Sequence, residues 1–310
     1  MDFLSGWKGR PVLITGGTGF IGQHVLRQGL EAGVCIHNLS ARAQGVPQGV
    51  RQHRADLRDR EHVFKILKEV KPEGVIHLAA AGVGYGSDGL AEMLRANVCG
   101  TENLLAASAA VGTVTSVALA GSGFEYAPQE RPISEQDPVE PFSAYGVSKA
   151  AAGLCARFYA AQMPITLLRL FSVYGTGEKE PRLVPYIISS AKKAEQVELT
   201  NCEQVRDYLY VEEAAESFWR VLSQPPSGQC LRTLNVGSGS AITLRHLVNK
   251  LVDILTEKGL RPHILFGAKP YRPDEPMTYA PNIICLKRTL GWSPSKPLSE
   301  GLSKTVESMI

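Results

Sequence analysis

Tyr145 and Lys149 are the two residues whose types and spacing most directly suggest chemistry. Residues four apart lie on one face of a helix, and an ammonium beside a phenol is expected to lower the pKa of the phenol. Such a Tyr can exchange a proton with an alcohol or carbonyl oxygen during hydride transfer, and the Lys can bridge to a nicotinamide ribose. The alternative is an ordinary surface pair of little consequence.

Ser122 strengthens the catalytic interpretation of this pair. It ends an apolar stretch that predicts a strand over 117–120, so it lies at the carboxyl edge of the predicted sheet, where open α/β folds bind their ligands. Its hydroxyl can hydrogen-bond the same substrate oxygen that Tyr145 serves. We therefore predict Ser122, Tyr145 and Lys149 as the catalytic residues, with Ser122, Gly123 and Phe124 in contact with the substrate.

A glycine-rich loop, TGGTGFIG at 15–22, lies between a predicted strand and a predicted helix. Gly16 allows a sharp turn, Gly19 lets a pyrophosphate approach the backbone, and Gly22 lets the helix pack closely on the strand. The N-terminus of the helix offers free N–H groups to phosphates. The residues predicted to contact the dinucleotide here are Gly16, Thr18, Gly19, Phe20, Ile21 and Gly22.

The end of the second predicted strand lacks the acidic residue that usually holds the ribose hydroxyls of NAD. Ser40 and Arg42 occupy this region, and both can bind a phosphate, which favours NADP over NAD. A solvated surface role for Arg42 is the alternative. Asp56 and Leu57 follow the third strand, where Asp56 can accept from the adenine amino group, cap the next helix, or do both.

These residues need a particular scaffold. Strands are predicted at 11–15, 34–39, 75–78, 117–120 and 165–170, with helices between them at 21–31, 60–70, 90–111 and 144–162. This alternation predicts an α/β fold, a Rossmann-type doubly wound parallel sheet. We assign 1–172 to the dinucleotide-binding domain. A smaller C-terminal α/β substrate lobe, 173–310, is predicted to have helices at 183–193, 212–222, 243–257 and 298–309 and strands at 233–236 and 263–266, the first returning to the core.

The composition excludes several classes of protein. The chain has 310 residues, a formal net charge of +3 and scattered basic residues, which argues against nucleic acid as a partner. Six dispersed cysteines and seven unclustered histidines predict reduced thiols and no metal site. No stretch is long and apolar enough to span a membrane, so we expect a cytoplasmic protein.

The ordered motifs together resemble the extended short-chain dehydrogenase/reductase family of nucleotide-sugar epimerases, dehydratases and 4-keto reductases. The resemblance covers nearly the whole chain. It implies that Leu78, Ala79 and Ala80 contact the cofactor, that Asn97 steadies the active-site region, and that 206–211 (RDYLYV) lies near the nucleotide phosphates. We predict that Arg206 and Arg272 hold the diphosphate of a nucleotide sugar, with salt bridges to Asp207 or Asp274 as the alternative.

Departures from the family's patterns narrow the function. Dehydratases carry an acidic pair directly after the strand-end Ser or Thr, whereas this chain has Gly123 and Phe124. The GSxxEY pattern at 121–126 resembles the 4-keto reductases, and Ser172 replaces the family's usual Asn. We expect NADPH-dependent reduction of a keto-deoxysugar nucleotide with Tyr145 as the proton donor. The alternatives are a 4-epimerase with tightly bound NAD and a non-catalytic NAD(P)-binding sensor or scaffold.

The predicted helices over 90–110 and 144–162 are rich in Ala, Leu and Gly. The related family pairs these two helices across a two-fold axis. We therefore expect a homodimer.

Overall fold

The computed structural model describes residues 2–41, 45–82, 89–273 and 275–310. The strands are β1 Pro11–Thr15, β2 Cys35–Ser40, β3 Arg51–Arg54, β4 Gly74–His77, β5 Ser116–Ser122, β6 Ile165–Leu170, β7 Ser172–Tyr174, β8 Gln196–Glu198, β9 Val205–Tyr210, β10 Leu231–Val236, β11 Ala241–Thr243, β12 His263–Leu265 and β13 Thr278–Tyr279. The helices are α1 Phe20–Glu31, α2 Arg60–Val70, α3 Leu90–Met93, α4 Gly100–Val111, α5 Ala144–Tyr159, α6 Leu183–Lys193, α7 Val211–Ser223, α8 Leu244–Glu257, α9 Ile284–Leu290 and α10 Leu298–Glu307.

A seven-stranded parallel sheet organises the molecule, in the order β3-β2-β1-β4-β5-β6-β10. The central strands are buried on both faces, so their sequences are almost continuously apolar. The prediction of a Rossmann-type doubly wound sheet is confirmed. β10, which contains the stretch 233–236, pairs in parallel with β6 at the edge of this sheet.

Two apolar cores cover the faces of the sheet. Val12 and Ile14 of β1 point to the core that contains Trp219 of α7, while Leu13 points to the core that contains Leu67 of α2. This alternation follows from the two-residue period of a strand. The glycine loop and Ser122 lie at the carboxyl-terminal edge of this sheet, so packing on both faces of the sheet fixes their positions.

The C-terminal region contributes a further core and two small sheets. Helices α6, α8 and α10 pack with apolar residues of β7, β8 and β9. β9 pairs with β7, β11 and β13, and β12 pairs with β8. Tyr208 and Tyr210 of β9 lie on this lobe, directly beyond Arg206.

Two local features differ from the sequence predictions. The helix expected over 90–111 contains a turn of π-helix at Leu94–Cys99 between α3 and α4. The residue that caps α2 is Asp59, whose side chain accepts from the backbone N–H of His62 at 3.1 Å, and not Asp56. Asp56 instead binds the guanidinium of Arg58 through both carboxylate oxygens.

Among the described residues, no helix combines the length and the apolar composition that crossing a membrane requires.

Candidate active site

The glycine loop passes directly from β1 into α1. Gly16 has a φ of +73°, and a Cβ there would lie 2.6 Å from the backbone nitrogen of Ala79. A Cβ on Gly22 would clash with the carbonyl oxygen of Gly16. The cap residue of α1 is Gly19, which supplies no side-chain acceptor, so the first N–H groups of the helix face outward without a side-chain cap. These features produce an open cradle of backbone donors suited to phosphates.

The other predicted residues of the loop divide into two groups. Thr18 and Gly19 are exposed at the tip of the loop, whereas Phe20 and Ile21 are partly buried against the apolar core of the C-terminal lobe. Phe20 and Ile21 therefore offer a ligand their backbone more readily than their side chains.

The end of β2 is tied to the glycine loop by a residue that sequence reasoning did not single out. The buried amide of Asn38 accepts from the backbone N–H of Gly17 at 3.2 Å and donates to Gln52 of β3 at 2.7 Å. Gln52 in turn donates to the hydroxyl of Ser40 at 3.1 Å. Ser40 thus lies at the predicted edge of the cofactor site, and Arg42 lies outside the described residues.

Residues 78–80, which were predicted to contact the cofactor, follow β4 and lie against the glycine loop. The backbone N–H of Leu78 donates to the carbonyl of Thr15 at 3.0 Å, and that of Ala79 approaches the Thr15 hydroxyl at 3.4 Å. Ala80 follows directly and is partly exposed. The carbonyl of Leu57 accepts from the amide of Asn103 at 2.9 Å.

His77, at the end of β4, is buried between two hydroxyl groups. Thr101 donates its only hydroxyl proton to the carbonyl of Asn97 at 2.6 Å, so it accepts from Nε2 of His77 at 2.8 Å. Nδ1 of the neutral ring then accepts from the hydroxyl of Thr15. Burial and the neighbouring charge of Lys149 lower the pKa of His77 to about 3, which keeps this tautomer neutral.

Ser122 closes β5 and starts a turn of 3₁₀ helix at Gly123–Glu125. Its Oγ accepts from the backbone N–H of Phe124 at 3.2 Å, and its own N–H donates to the carboxylate of Glu125 at 2.8 Å. This reciprocal arrangement is a capping box. The hydroxyl oxygen is fixed as an acceptor, so its proton remains for donation to another oxygen.

Helix α5 brings Tyr145 and Lys149 to this strand end. Ser143 caps the helix by accepting from the N–H of Gly146 at 3.1 Å. Gly146 packs so closely on the carbonyl of Phe124 that a Cβ there would clash. The first turn of α5 therefore sits directly on the segment that follows Ser122, and the rings of Tyr145 and Phe124 are 6.4 Å apart.

Asn97 connects α5 to the segment after β4. Its amide oxygen accepts from the N–H of Ala81 at 2.7 Å, and its amide nitrogen donates to Ala81 at 3.0 Å and to the hydroxyl of Ser148 at 2.9 Å. Ser148 donates to the carbonyl of Tyr145 at 2.8 Å. Asn97 lies in the turn of π-helix, a distortion often found at functional sites.

The electrostatics of the pair differ from the simple expectation. Burial and the charge of Glu125 raise the pKa of Tyr145 to about 12, and Arg182 lowers it less. The expectation of a lowered pKa for this phenol is wrong, because desolvation of the buried ring outweighs any stabilisation of the phenolate by Lys149. Burial lowers the pKa of Lys149 to about 8, and the charge of Glu125 opposes that shift.

An aromatic wall stands where dehydratases are expected to carry carboxylates. It consists of Phe124, Phe142, Phe171 and Tyr279, with the ring of Phe124 stacked 5.6 Å from that of Tyr279. Tyr279 donates to the carbonyl of Gly123. Phe124 remains 44% exposed, so it presents an apolar ring to any ligand beside Tyr145.

The two arginines predicted to bind phosphate differ in surroundings. Arg206 donates to Glu275 at 2.8 Å and to the carbonyl of Val205 at 2.9 Å. It therefore forms a salt bridge, with Glu275 as its partner. The Asp207 carboxylate accepts from the backbone N–H groups of Ser238 and Gly239 at 2.6 and 2.7 Å, and Asp274 lies outside the described residues. Arg272 is exposed.

The chain is similar in sequence to a known family of proteins. The family model described as the NAD dependent epimerase/dehydratase family matches residues 12–237. The chain is 28% identical to UDP-glucose 4-epimerase of Streptomyces lividans, covering 92% of this chain and 91% of that one. It is 26% identical to dTDP-glucose 4,6-dehydratase of Neisseria gonorrhoeae, covering 96% and 95%.

A solved structure, MoeE5 in complex with UDP-glucose and NAD, matches with a TM-score of 0.84. The two sequences are 30% identical, and the match covers 96% of this chain and 97% of that one.

Proposed function

Because the chain belongs to the NAD dependent epimerase/dehydratase family, we propose that it is an NAD(P)-dependent oxidoreductase that reduces a keto group of a nucleotide-linked deoxysugar. The main support for this proposal is the position of Tyr145, whose ring packs near Phe124 in the segment after Ser122. Its buried phenol is protonated at neutral pH. A protonated phenol can donate to a forming alkoxide, as reduction requires.

The residues of the first domain fit a dinucleotide. The cradle formed by Gly16, Gly19 and Gly22 has room for a pyrophosphate against backbone N–H groups, and residues 78–80 lie along the same edge. When bound, the nicotinamide supplies or accepts the hydride. Lys149 and Tyr145 are the residues proposed to hold the nicotinamide half, and Asp56 and Leu57 the adenine half.

Three residues are proposed to act on the substrate oxygen. Ser122 donates its free hydroxyl proton as a hydrogen bond and so orients the carbonyl. Tyr145 transfers its proton to the same oxygen. Lys149 is buried and lies one helical turn after Tyr145 on α5. Its ammonium is proposed to stabilise the phenolate that remains after proton transfer, because a positive charge favours a nearby anion.

The aromatic wall argues against dehydration. Elimination of water needs an acid and a base beside the sugar, whereas Gly123 lies against the ring of Phe171 and Phe124 packs on Tyr279. Glu125 is the first carboxylate after Ser122, but it is buried and paired with Arg169. These contacts support a reductase over a dehydratase.

An epimerase is the second candidate, because one relative is described as UDP-glucose 4-epimerase. An epimerase keeps NAD bound and returns the hydride to the same sugar, whereas a reductase uses added NADPH. Ser40 at the end of β2 and Arg42 after it suit the ribose phosphate of NADPH better than the ribose diol of NAD. For this reason we place the reductase first.

We propose NADPH as the preferred cofactor and NAD as the alternative. The support is chemical: Ser40 ends β2 where NAD-binding units usually place a carboxylate, and Arg42 follows it. A hydroxyl and a guanidinium suit a ribose phosphate better than a ribose diol.

We also propose that the nucleotide sugar lies between the two lobes, with Arg206 and Arg272 at its diphosphate. Arg206 is partly exposed, and its pairing with Glu275 holds the guanidinium in a fixed direction. Charge-assisted hydrogen bonds from such a fork suit phosphate oxygens.

We propose a homodimer formed through α5. Leu154 and Phe158 on this helix are 66% and 69% exposed, and they are four residues apart on one face. Exposed apolar side chains that adjoin in this way mark an association surface. A second copy of the same helix is the occupant expected from two-fold symmetry.

The test separates the two activities by cofactor balance. Purified protein is incubated with NADPH and a dTDP-linked 4-keto-6-deoxyhexose, and separately with UDP-glucose and no added cofactor. A reductase consumes one NADPH for each keto sugar and leaves UDP-glucose unchanged. Conversion of UDP-glucose into its C4 epimer without net NADPH consumption would overturn the proposed reductase in favour of the epimerase.

A further inference from the structure

Glu125 is a fully buried carboxylate beneath the proposed catalytic residues. One oxygen accepts from the backbone N–H of Ser122 at 2.8 Å, and the other accepts from Nε of Arg169 at 2.7 Å. Glu125 and Ser122 form a capping box, so the carboxylate is bonded directly to the backbone of Ser122. Displacement of this carboxylate would therefore move the strand end that carries Ser122.

The surrounding chain leaves space for this group. Gly121 precedes Ser122, and a Cβ there would lie 2.7 Å from Oε1 of Glu125. Gly153 of α5 faces the other oxygen, with its Cβ position 3.8 Å from Oε2. Gly153 is four residues after Lys149 and eight after Tyr145, so all three lie on one face of α5. That face is the one turned toward Glu125.

A buried network anchors the far side of the carboxylate. Arg169 of β6 pairs with Glu125 and donates to the hydroxyl of Tyr126 at 2.5 Å. Tyr126 donates to Asn235 of β10 at 2.9 Å, and the N–H of Asn235 donates to Glu135 at 2.8 Å. The network therefore spans three elements, and it ends at Glu125 on the side of the active site.

Charged and titratable groups from several elements lie near Tyr145 and Lys149. Tyr145 is influenced by Glu125 and by Arg182 at the start of α6. Lys149 is influenced by Glu125, and its own charge acts on His77 of β4. Tyr279 of β13, Tyr126 and Arg169 also interact electrostatically with Glu125. Of these groups, Glu125 is the one that acts on both Tyr145 and Lys149.

We propose that Glu125 is a positioning residue of the active site: it fixes Ser122 through its backbone N–H and holds a buried negative charge against the face of α5 that carries Tyr145 and Lys149. This inference rests on the proposed function for its catalytic consequence. The expected effect on NADPH binding follows from the proposed role of Lys149 in holding the cofactor.

The expected consequence of losing the charge has a definite sign. Burial lowers the pKa of Lys149 to about 8, and the Glu125 charge limits that fall. The same charge raises the pKa of Tyr145. Neutralising Glu125 therefore lowers the pKa values of Lys149 and Tyr145. Each group then loses its proton at a lower pH than it does in the wild type. For a charge several Å away in a partly screened interior, the expected shift is about one pH unit.

The test compares wild type, Glu125→Gln and the double variant Glu125→Gln/Arg169→Gln. The double variant is included because a lone buried Arg169 can unfold the protein. The first readout is NADPH binding by fluorescence across pH 6–10, which needs no substrate. The second is the pH dependence of turnover of the dTDP-linked keto sugar. Glu135→Gln is the matched control, because Glu135 belongs to the same network but does not act on Lys149 or Tyr145.

In both Glu125 variants, the pH at which NADPH affinity is half lost should fall by about one unit, and the alkaline limb of turnover should fall with it. Glu135→Gln should leave both unchanged. Reduced activity with an unmoved pH profile, or an upward shift, would overturn the inference. Absence of keto-sugar turnover by the wild type would overturn the proposed function alone, since the NADPH readout still decides the role of Glu125.

Discussion

Acidification should destabilise this protein through His77, and the structure gives the size of the effect. The ring is 2% exposed and neutral, with Nε2 donating to Thr101 and Nδ1 accepting from Thr15. Protonation places a proton on Nδ1, which removes the hydrogen bond donated by Thr15, beside the charge of Lys149. The pKa of His77 is accordingly lowered to about 3 in the folded protein.

The sign follows from linkage between protonation and folding. Between pH 6.5, the ordinary pKa of a histidine, and pH 3, the unfolded chain binds the proton and the folded protein does not. The contribution of His77 is therefore complete above pH 6.5 and is lost as the pH falls. One pH unit corresponds to about 1.4 kcal/mol, so about 2 kcal/mol of unfolding free energy is lost by pH 5.

Urea denaturation of wild type and His77→Gln at pH 7.5, 6 and 5 measures this loss. The variant should be less stable at pH 7.5, and the difference should shrink by about 2 kcal/mol at pH 5 because the variant cannot titrate there. The lowered pKa values of His24, His37 and His53 act in the same direction in both proteins and so cancel. A constant difference across the pH range would refute the reasoning.

Three further predictions concern other parts of the molecule. Burial raises the pKa of Glu178 from its ordinary value of 4.5 to about 7, so its ionised form destabilises the folded state as the pH rises above 4.5. In urea denaturation, Glu178→Gln should gain up to about 3 kcal/mol at pH 8 and close to nothing at about pH 4, which lies below both pKa values; an equal gain at both would contradict this. Replacing Leu154 and Phe158 by Glu should convert a dimer into a monomer by light scattering; a wild type that is already monomeric counts against the interface. Arg272→Ala should weaken UDP-glucose binding by calorimetry about 10–100-fold and leave NADPH binding intact, whereas equal weakening of both removes Arg272 from the diphosphate site.

The parts of the site that sequence predicted are those governed by local rules. The glycine loop is a run of adjacent residues whose spacing can be read directly from the sequence, and β1, β6, α2 and α6 were bounded correctly by hydrophobic period and turn residues. By contrast, β3 reads Arg-Gln-His-Arg and has no apolar alternation, because it is a sheet edge. Short strands such as β7, β11 and β13 carry too few residues for any period to appear.

Contacts between distant residues account for the rest. The capping box pattern of Ser122 and Glu125 is visible in the sequence, but the pairing of Glu125 with Arg169 joins residues 44 apart. The bond from Asn97 to Ser148 joins residues 51 apart. The pKa of Tyr145 was predicted in the wrong direction for the same reason: its spacing to Lys149 is local, whereas its burial and the charge of Glu125 come from the fold.

The central claim, that Tyr145 donates the proton during reduction, is tested most directly by Tyr145→Phe. The change removes the hydroxyl and preserves the ring that packs against Phe124. Turnover of the dTDP-linked keto sugar should fall by ~10²–10⁴-fold, the usual contribution of a general acid. NADPH should still bind in the fluorescence assay, because the glycine loop and Lys149 are untouched. A Tyr145→Phe enzyme with near-normal turnover would contradict the account.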